Sequence, residues 1–117
     1  MRRFPLVNNA AGFYPEVQWF AYPKTGETNP ICRLGVVNLR TRATKFLSVP
    51  GDSRDHYIAR MDWAGNSNEI VLQQLNRLQN RNAVMLANVS QDKFRTMLTV
   101  RDDAWVDVRD EMRWVED

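Results

Sequence analysis

Short apolar runs of a few residues, broken by turn-forming residues, recur along most of this chain. Leu34, Val36 and Val37 lie in a β-branched segment at 33–39, and a second segment follows at 43–49 after Arg40-Thr41-Arg42. Pro50-Gly51-Asp52 breaks the pattern. In 56–63, strict alternation predicts Tyr57, Ala59, Met61 and Trp63 on one face and Ile58, Arg60 and Asp62 on the other. Gly65-Asn66-Ser67-Asn68 is a turn signal, and Gln79-Asn80-Arg81-Asn82 is another. Between them, 69–78 reads as a strand on its Ile70-Val71 opening. Leu72, Leu75 and Leu78 at spacing three leave a helix as the alternative. Segments 83–89 and 94–100 complete the series. Strands at this spacing with turns between them predict an all-β antiparallel unit.

The first thirty residues differ. They hold four of the five prolines and the aromatics Phe4, Phe13, Tyr14, Trp19, Phe20 and Tyr22. Proline interrupts sheet ladders, so 1–32 reads as an extended arm and turn with one short strand at 16–21. Val17, Trp19 and Ala21 share one side of that strand, and Gln18, Phe20 and Tyr22 the other. A disordered tail would be poor in aromatics, so an ordered arm is expected.

An internal echo suggests the architecture. Arg60-Met61-Asp62-Trp63 returns in outline as Glu111-Met112-Arg113-Trp114, 51 residues later. Four strands fit within that interval, which is the arithmetic of a β-propeller blade. On this reading 33–50 holds the outer strands of one blade, 56–100 is one full blade and 110–117 starts the next. The expected fold is a partial β-propeller of about one and a half blades with an N-terminal arm, within a single domain of 1–117. A closed propeller takes roughly four to eight blades, so a fragment or a self-assembling piece is expected.

Composition adds mainly exclusions. Sixteen basic and fourteen acidic residues leave a net charge of +2, which argues against a nucleic-acid partner. No apolar run approaches the ~18–20 residues of a membrane span. Met1-Arg2-Arg3-Phe4-Pro5-Leu6 is too short and polar for a secretory signal. One cysteine, Cys32, excludes an internal disulfide and multi-cysteine zinc sites, and one histidine, His56, excludes two-histidine zinc motifs. Cys32, flanked by apolar residues, reads as a small buried hydrophobe. Asp102, Asp103, Asp107, Asp110 and Glu111 lack the spacing of a calcium loop. Arg77, Arg81, Lys93 and Arg95 are interspersed with acids, and Trp63, Trp105 and Trp114 read as inter-blade packing. Asn88-Val89-Ser90 is a glycosylation sequon, relevant only in a secreted eukaryotic protein. No metal site and no cofactor are expected.

The run Tyr22-Pro23-Lys24-Thr25-Gly26-Glu27-Thr28-Asn29-Pro30, followed by Leu34-Gly35-Val36-Val37, resembles the propeller of the dipeptidyl peptidase IV family of serine peptidases, relatives of prolyl oligopeptidase. The resemblance continues through residues 56–63 and 73–80 and closes at Asp103-Ala104-Trp105-Val106-Asp107. It implies a longer parent with an eight-bladed propeller over an α/β-hydrolase domain, which removes N-terminal dipeptides, preferably after proline. It also implies a periplasmic, extracellular or membrane-anchored parent.

The family's catalytic chemistry is not expected in this chain. A Gly-x-Ser-x-Gly elbow is met only in part by Gly65-Asn66-Ser67-Asn68-Glu69, and His56 precedes Ser67, against the order Ser, Asp, His. No Glu-Glu pair is present to hold a substrate amino terminus. No catalytic, substrate-binding or metal residue is therefore assigned, and the chain alone should be inactive. What the resemblance does imply is a dimer arm, matched here by Phe13, Tyr14, Pro15, Val17, Trp19, Phe20 and Tyr22, aromatic types enriched at interfaces. Expected partners are a second copy, as a homodimer or swapped oligomer, and the parent's remaining blades and hydrolase domain, with a peptide substrate only in the parent. Met61, Trp63, Leu86 and Leu98 are expected to lack packing partners without those blades. A free-standing β-sheet interaction module without peptidase activity is the alternative.

Overall fold

The computed structural model describes residues 2–115 and contains eight strands and no helix among them. Two compact units divide the chain, one up to residue 31 and one from residue 32 onward. The first is a hairpin of β1 (Arg3–Asn8) and β2 (Glu16–Ala21). β1 is absent from the sequence reading, which took Pro5 as a strand breaker. Tyr22 N–H donates to Arg2 O at 3.2 Å, and in the same register Phe4 faces Phe20 and Pro5 faces Trp19. Hydrogen-bonded pairs alternate along an antiparallel ladder. Pro5 therefore falls at a non-bonded position, its ring nitrogen toward the free edge, where a missing N–H costs the ladder nothing.

The second unit contains the hairpin β3 (Leu34–Val37) and β4 (Thr44–Leu47), then a four-stranded antiparallel sheet of β5 (His56–Trp63), β6 (Glu69–Asn76), β7 (Arg81–Asn88) and β8 (Lys93–Arg101) in that order. β3 and β4 are shorter than the predicted 33–39 and 43–49. The ambiguous 69–78 stretch is a strand that stops at Asn76. Leu78, which would complete a helical stripe, is in the following turn and exposed.

A β-bulge between Ile58 and Arg60 breaks the predicted alternation of β5. The extra residue moves Met61 and Trp63 onto the face of Ile58 and leaves Tyr57 on the opposite face with Arg60. One face of the sheet packs on the β3–β4 hairpin. Leu72 and Ala87 are fully buried there with Leu34, Leu47 and Ile70, and Ile58 and Phe94 pack at the margin. Polar ties reinforce the contact. Lys45 Nζ donates to Val89 O at 2.6 Å, and the Ser48 N–H and Oγ donate to the Asp92 carboxylate at 2.8 and 2.7 Å.

The other face buries Val71, Gln73, Leu75 and Asn82. It is covered by the irregular segment 102–115, which runs from the β6–β7 turn toward the β5–β6 turn. Asp102 N–H donates to Asn80 O, Val106 N–H to Gln79 O, and the Trp114 side chain approaches Gly65. No strand forms within 110–115, where the start of another blade was expected. No described segment pairs its backbone with these residues, and an extended segment without a ladder partner is not a strand. Residues 116 and 117 lie outside the described residues. Cys32 corrects another expectation: it is exposed, because it precedes the first core residue, Leu34. Leu86 is half-buried, whereas Met61, Trp63 and Leu98 are 61%, 45% and 57% exposed.

Candidate functional site

The hairpin of the first unit is apolar on both faces. Cross-strand partners share a face, so Arg3, Pro5, Val7, Val17, Trp19 and Ala21 form one side. Phe4, Leu6, Gln18 and Phe20 form the other, and Tyr22 continues it. On that second side three rings meet edge to face: Phe4 and Phe20 at 6.2 Å, then Phe20 and Tyr22 at 5.9 Å between centroids. Lys24 Nζ lies 4.3 Å above the Phe4 ring, a cation–π contact that closes the end of the cluster. Arg2 pairs with Glu27 at 3.5 Å. On the first side Arg3 Nη2 donates to Trp19 O at 3.2 Å, while Val17 and Trp19 remain more than half exposed.

The seven residues expected to form an arm therefore fall in three places. Phe13, Tyr14 and Pro15 lie in the loop between the strands, with Phe13 and Tyr14 fully solvated. Val17 and Trp19 occupy one face, Phe20 and Tyr22 the other. β1 contributes Phe4, Leu6 and Val7, which sequence reasoning missed. The signal was present in the apolar run from Phe4 to Val7, but Pro5 concealed it. A two-stranded hairpin with apolar side chains on both faces has too little area to bury either of them, so this surface is suited to being covered by another protein surface.

Among its described residues the second unit offers polar side chains but does not bring His56 and Ser67 together. His56 opens β5 and Ser67 lies in the turn after it. The length of a strand, roughly 3.3 Å per residue, separates the two. His56 Nε2 is buried without a hydrogen-bond partner, so it is not set against the Ser67 hydroxyl, and a serine needs a base within reach to act as a nucleophile. Among the described residues no cluster of three metal-ligating side chains occurs. An open groove of about 880 Å³ lies between β5 and the covering segment, lined by Ala59, Arg60, Leu75, Trp105 and Val106. Across it Arg60 is already neutralised by Asp110 at 2.6 Å. Two carboxylates are held by structural hydrogen bonds. The Ser48 hydroxyl and N–H hold Asp92 below the usual carboxylate range, and the N–H groups of Ala104 and Trp105 do the same for Asp102.

Comparison with known proteins agrees with this architecture. The family model described as the dipeptidyl peptidase IV (DPP IV) N-terminal region matches residues 1–117. The mouse protein named inactive dipeptidyl peptidase 10 is 31% identical over 101 residues, covering 84% of this chain. The crystal structure of Porphyromonas gingivalis dipeptidyl peptidase 4 superposes with a TM-score of 0.77 at 29% identity over 91% of this chain. A Bacteroides ovatus structure described as a dipeptidyl aminopeptidase IV gives a TM-score of 0.74 over 90% of this chain, and at 24% identity it speaks to the fold alone. The chain spans 12% of the mouse protein's length and 15% of the Porphyromonas chain. The all-antiparallel strands, the four-stranded sheet β5–β8 and a match along the whole sequence make this chain a member of the dipeptidyl peptidase IV family, corresponding to part of its N-terminal β-propeller region.

Proposed function

We propose that this chain acts as a non-catalytic propeller segment of a dipeptidyl peptidase IV-like serine exopeptidase. Its blade supports the substrate chamber, and its arm supports homodimerisation. The parent removes N-terminal dipeptides, preferably after proline, through a serine nucleophile outside these residues. On this reading 33–50 contributes outer strands to one blade and 56–100 forms a complete blade. The remaining blades cover Met61, Trp63 and Leu98. The parent is periplasmic, extracellular or membrane-anchored. No helix among the described residues is long and apolar enough to cross a membrane.

The observation that carries the arm reading is the β1–β2 hairpin, apolar on both faces, with Phe13 and Tyr14 fully solvated at its tip. Exposed aromatics of this kind are the side chains that anchor protein interfaces. A second reading, an interaction module without peptidase activity, draws support from the mouse relative whose name marks it as inactive. Sedimentation velocity over a range of protein concentrations tests the arm. A dimer that Trp19→Ser and Phe13→Ser dissociate supports it, and a dimer indifferent to both rejects it. Assay of the parent against N-terminal Xaa-Pro peptides separates the two readings: turnover supports the peptidase, and its absence in a folded parent supports the interaction module.

A further inference from the structure

Building on the arm reading, we propose that the arm recognises a second copy of this chain through the free edge of β2, which pairs antiparallel with β2 of that copy about a two-fold axis at Trp19. The hairpin has two edges, and they are not equivalent. The Tyr22–Arg2 hydrogen bond fixes which backbone groups point outward. On β1 these belong to Arg3, Pro5 and Val7, so Pro5 leaves the centre of that edge without a donor. On β2 they belong to Val17, Trp19 and Ala21, and each retains its N–H. Among the described residues no backbone partner takes these groups.

Prolines also delimit the open edge. Pro15 stands four residues before Trp19 and Pro23 four residues after it. The usable edge, Glu16 to Tyr22, is therefore centred on Trp19. An antiparallel self-pairing centred there places Val17 opposite Ala21 of the second copy, Trp19 opposite Trp19, and Ala21 opposite Val17. This register uses every outward N–H between the prolines. Moving the axis by one residue to Gln18, which pairs Val17 with Trp19, sets Ala21 against Pro15, which has no N–H to give. Antiparallel pairing also brings the acidic start of β2, Glu16, toward the end of the other hairpin where Arg3 and Lys24 lie and where Arg2 is paired with Glu27. Parallel pairing would bring like ends together. The Arg3 guanidinium on Trp19 O is no obstacle, since a carbonyl oxygen has a second lone pair. The result is a continuous four-stranded sheet with order β1, β2, then β2 and β1 of the second copy. Strand addition at an exposed edge is an established mode of protein recognition.

Two measurements on the full chain test this. The first is the dimer dissociation constant by sedimentation. Val17→Pro and Ala21→Pro each remove an outward N–H from β2 while leaving the β1–β2 bonds untouched. Because symmetry doubles the loss, each should weaken the dimer about tenfold or more. Val7→Pro removes an outward N–H from β1, and should leave the dimer unchanged. The second measurement reads register by disulfide trapping in a Cys32→Ser background. Gln18 and Phe20 of the second copy form a non-hydrogen-bonded pair, with Cβ atoms about 4.5 Å apart. A mixture of Gln18→Cys and Phe20→Cys chains should cross-link on mild oxidation, and neither should cross-link alone, being offset by two residues. Dimers unaffected by Val17→Pro and Ala21→Pro, or Gln18→Cys chains that cross-link to themselves, overturn the edge pairing. If Trp19→Ser still dissociates such dimers, the arm reading stands without it. If Trp19→Ser does not, or if the chain is monomeric throughout, both fail.

Discussion

The buried carboxamide of Gln73 makes two hydrogen bonds to the backbone of Arg109. Nε2 donates to Arg109 O at 2.6 Å, and Oε1 accepts from Arg109 N–H at 3.1 Å. Oε1 also accepts from Asn82 Nδ2 at 2.8 Å. A side chain thus substitutes for the neighbouring strand that residues around Arg109 lack, and it fastens the covering segment to the sheet. Removing it takes a partner from the buried Asn82 Nδ2 and from the part-buried N–H and O of Arg109, and a buried polar group so left costs about 1–3 kcal/mol. Gln73→Ala is expected to destabilise the chain by about 3 kcal/mol in urea titration. Amide exchange should accelerate selectively across residues 102–115, and equal acceleration throughout the sheet would show that the covering segment is not a separate element.

The core facing the β3–β4 hairpin depends on Leu72, which is fully buried among Leu34, Leu47, Ile70 and Ala87. Leu72→Ala should cost about 3 kcal/mol, through lost burial and the cavity left behind. Leu98→Ala, at a side chain 57% exposed, should cost less than about 1 kcal/mol in this chain. Urea midpoints at one fixed protein concentration measure both. A larger loss at Leu98 would mean that its face is covered in solution.

Asp92 links stability to pH. The Ser48 hydroxyl and N–H donate to its carboxylate and depress its pKa in the folded state. A depressed carboxylate stabilises the fold above its unfolded-state pKa, and that contribution is lost as pH falls through the folded value. Wild-type stability should therefore fall progressively below about pH 4. Asp92→Asn keeps a residue suited to the left-handed backbone at this position, φ 53°, and should flatten part of the acid limb. Urea midpoints from neutral pH down to about pH 2 test this, and an unchanged limb in the variant would remove Asp92 from the acid response.

Gly51 has φ +93°, and a Cβ there would approach His56 Nδ1 at 3.5 Å. There is room for the methyl group, so conformational strain dominates. Gly51→Ala should cost about 1–2 kcal/mol. Gly12, with nothing within 4 Å and no positive φ, should accept alanine with little change. Thermal midpoints of the two variants give the comparison.

Much of this fold is legible in the sequence because strand formation is local where apolar residues alternate between turn signals. β2 was readable at its full extent, and β5 from its first residue, His56, to its last, Trp63. The family resemblance was carried by contiguous runs such as Tyr22-Pro23-Lys24-Thr25-Gly26, and the family match spans those same residues. Packing decided the rest. The bulge at β5 appears only when β6 supplies a register, and one unpaired residue there determines which face Tyr57 occupies. β1 was hidden because the cost of a proline depends on whether its nitrogen faces a partner strand or open solvent, and only the pairing with β2 settles that. Gln73 reads as an ordinary polar strand residue. It is buried because the peptide of Arg109, far away along the chain, replaces the water it gives up. Local pattern determined where most strands form, with β1 the exception. Tertiary pairing decided which way they face and what covers them, because hydrogen bonds and burial are satisfied between segments rather than within them.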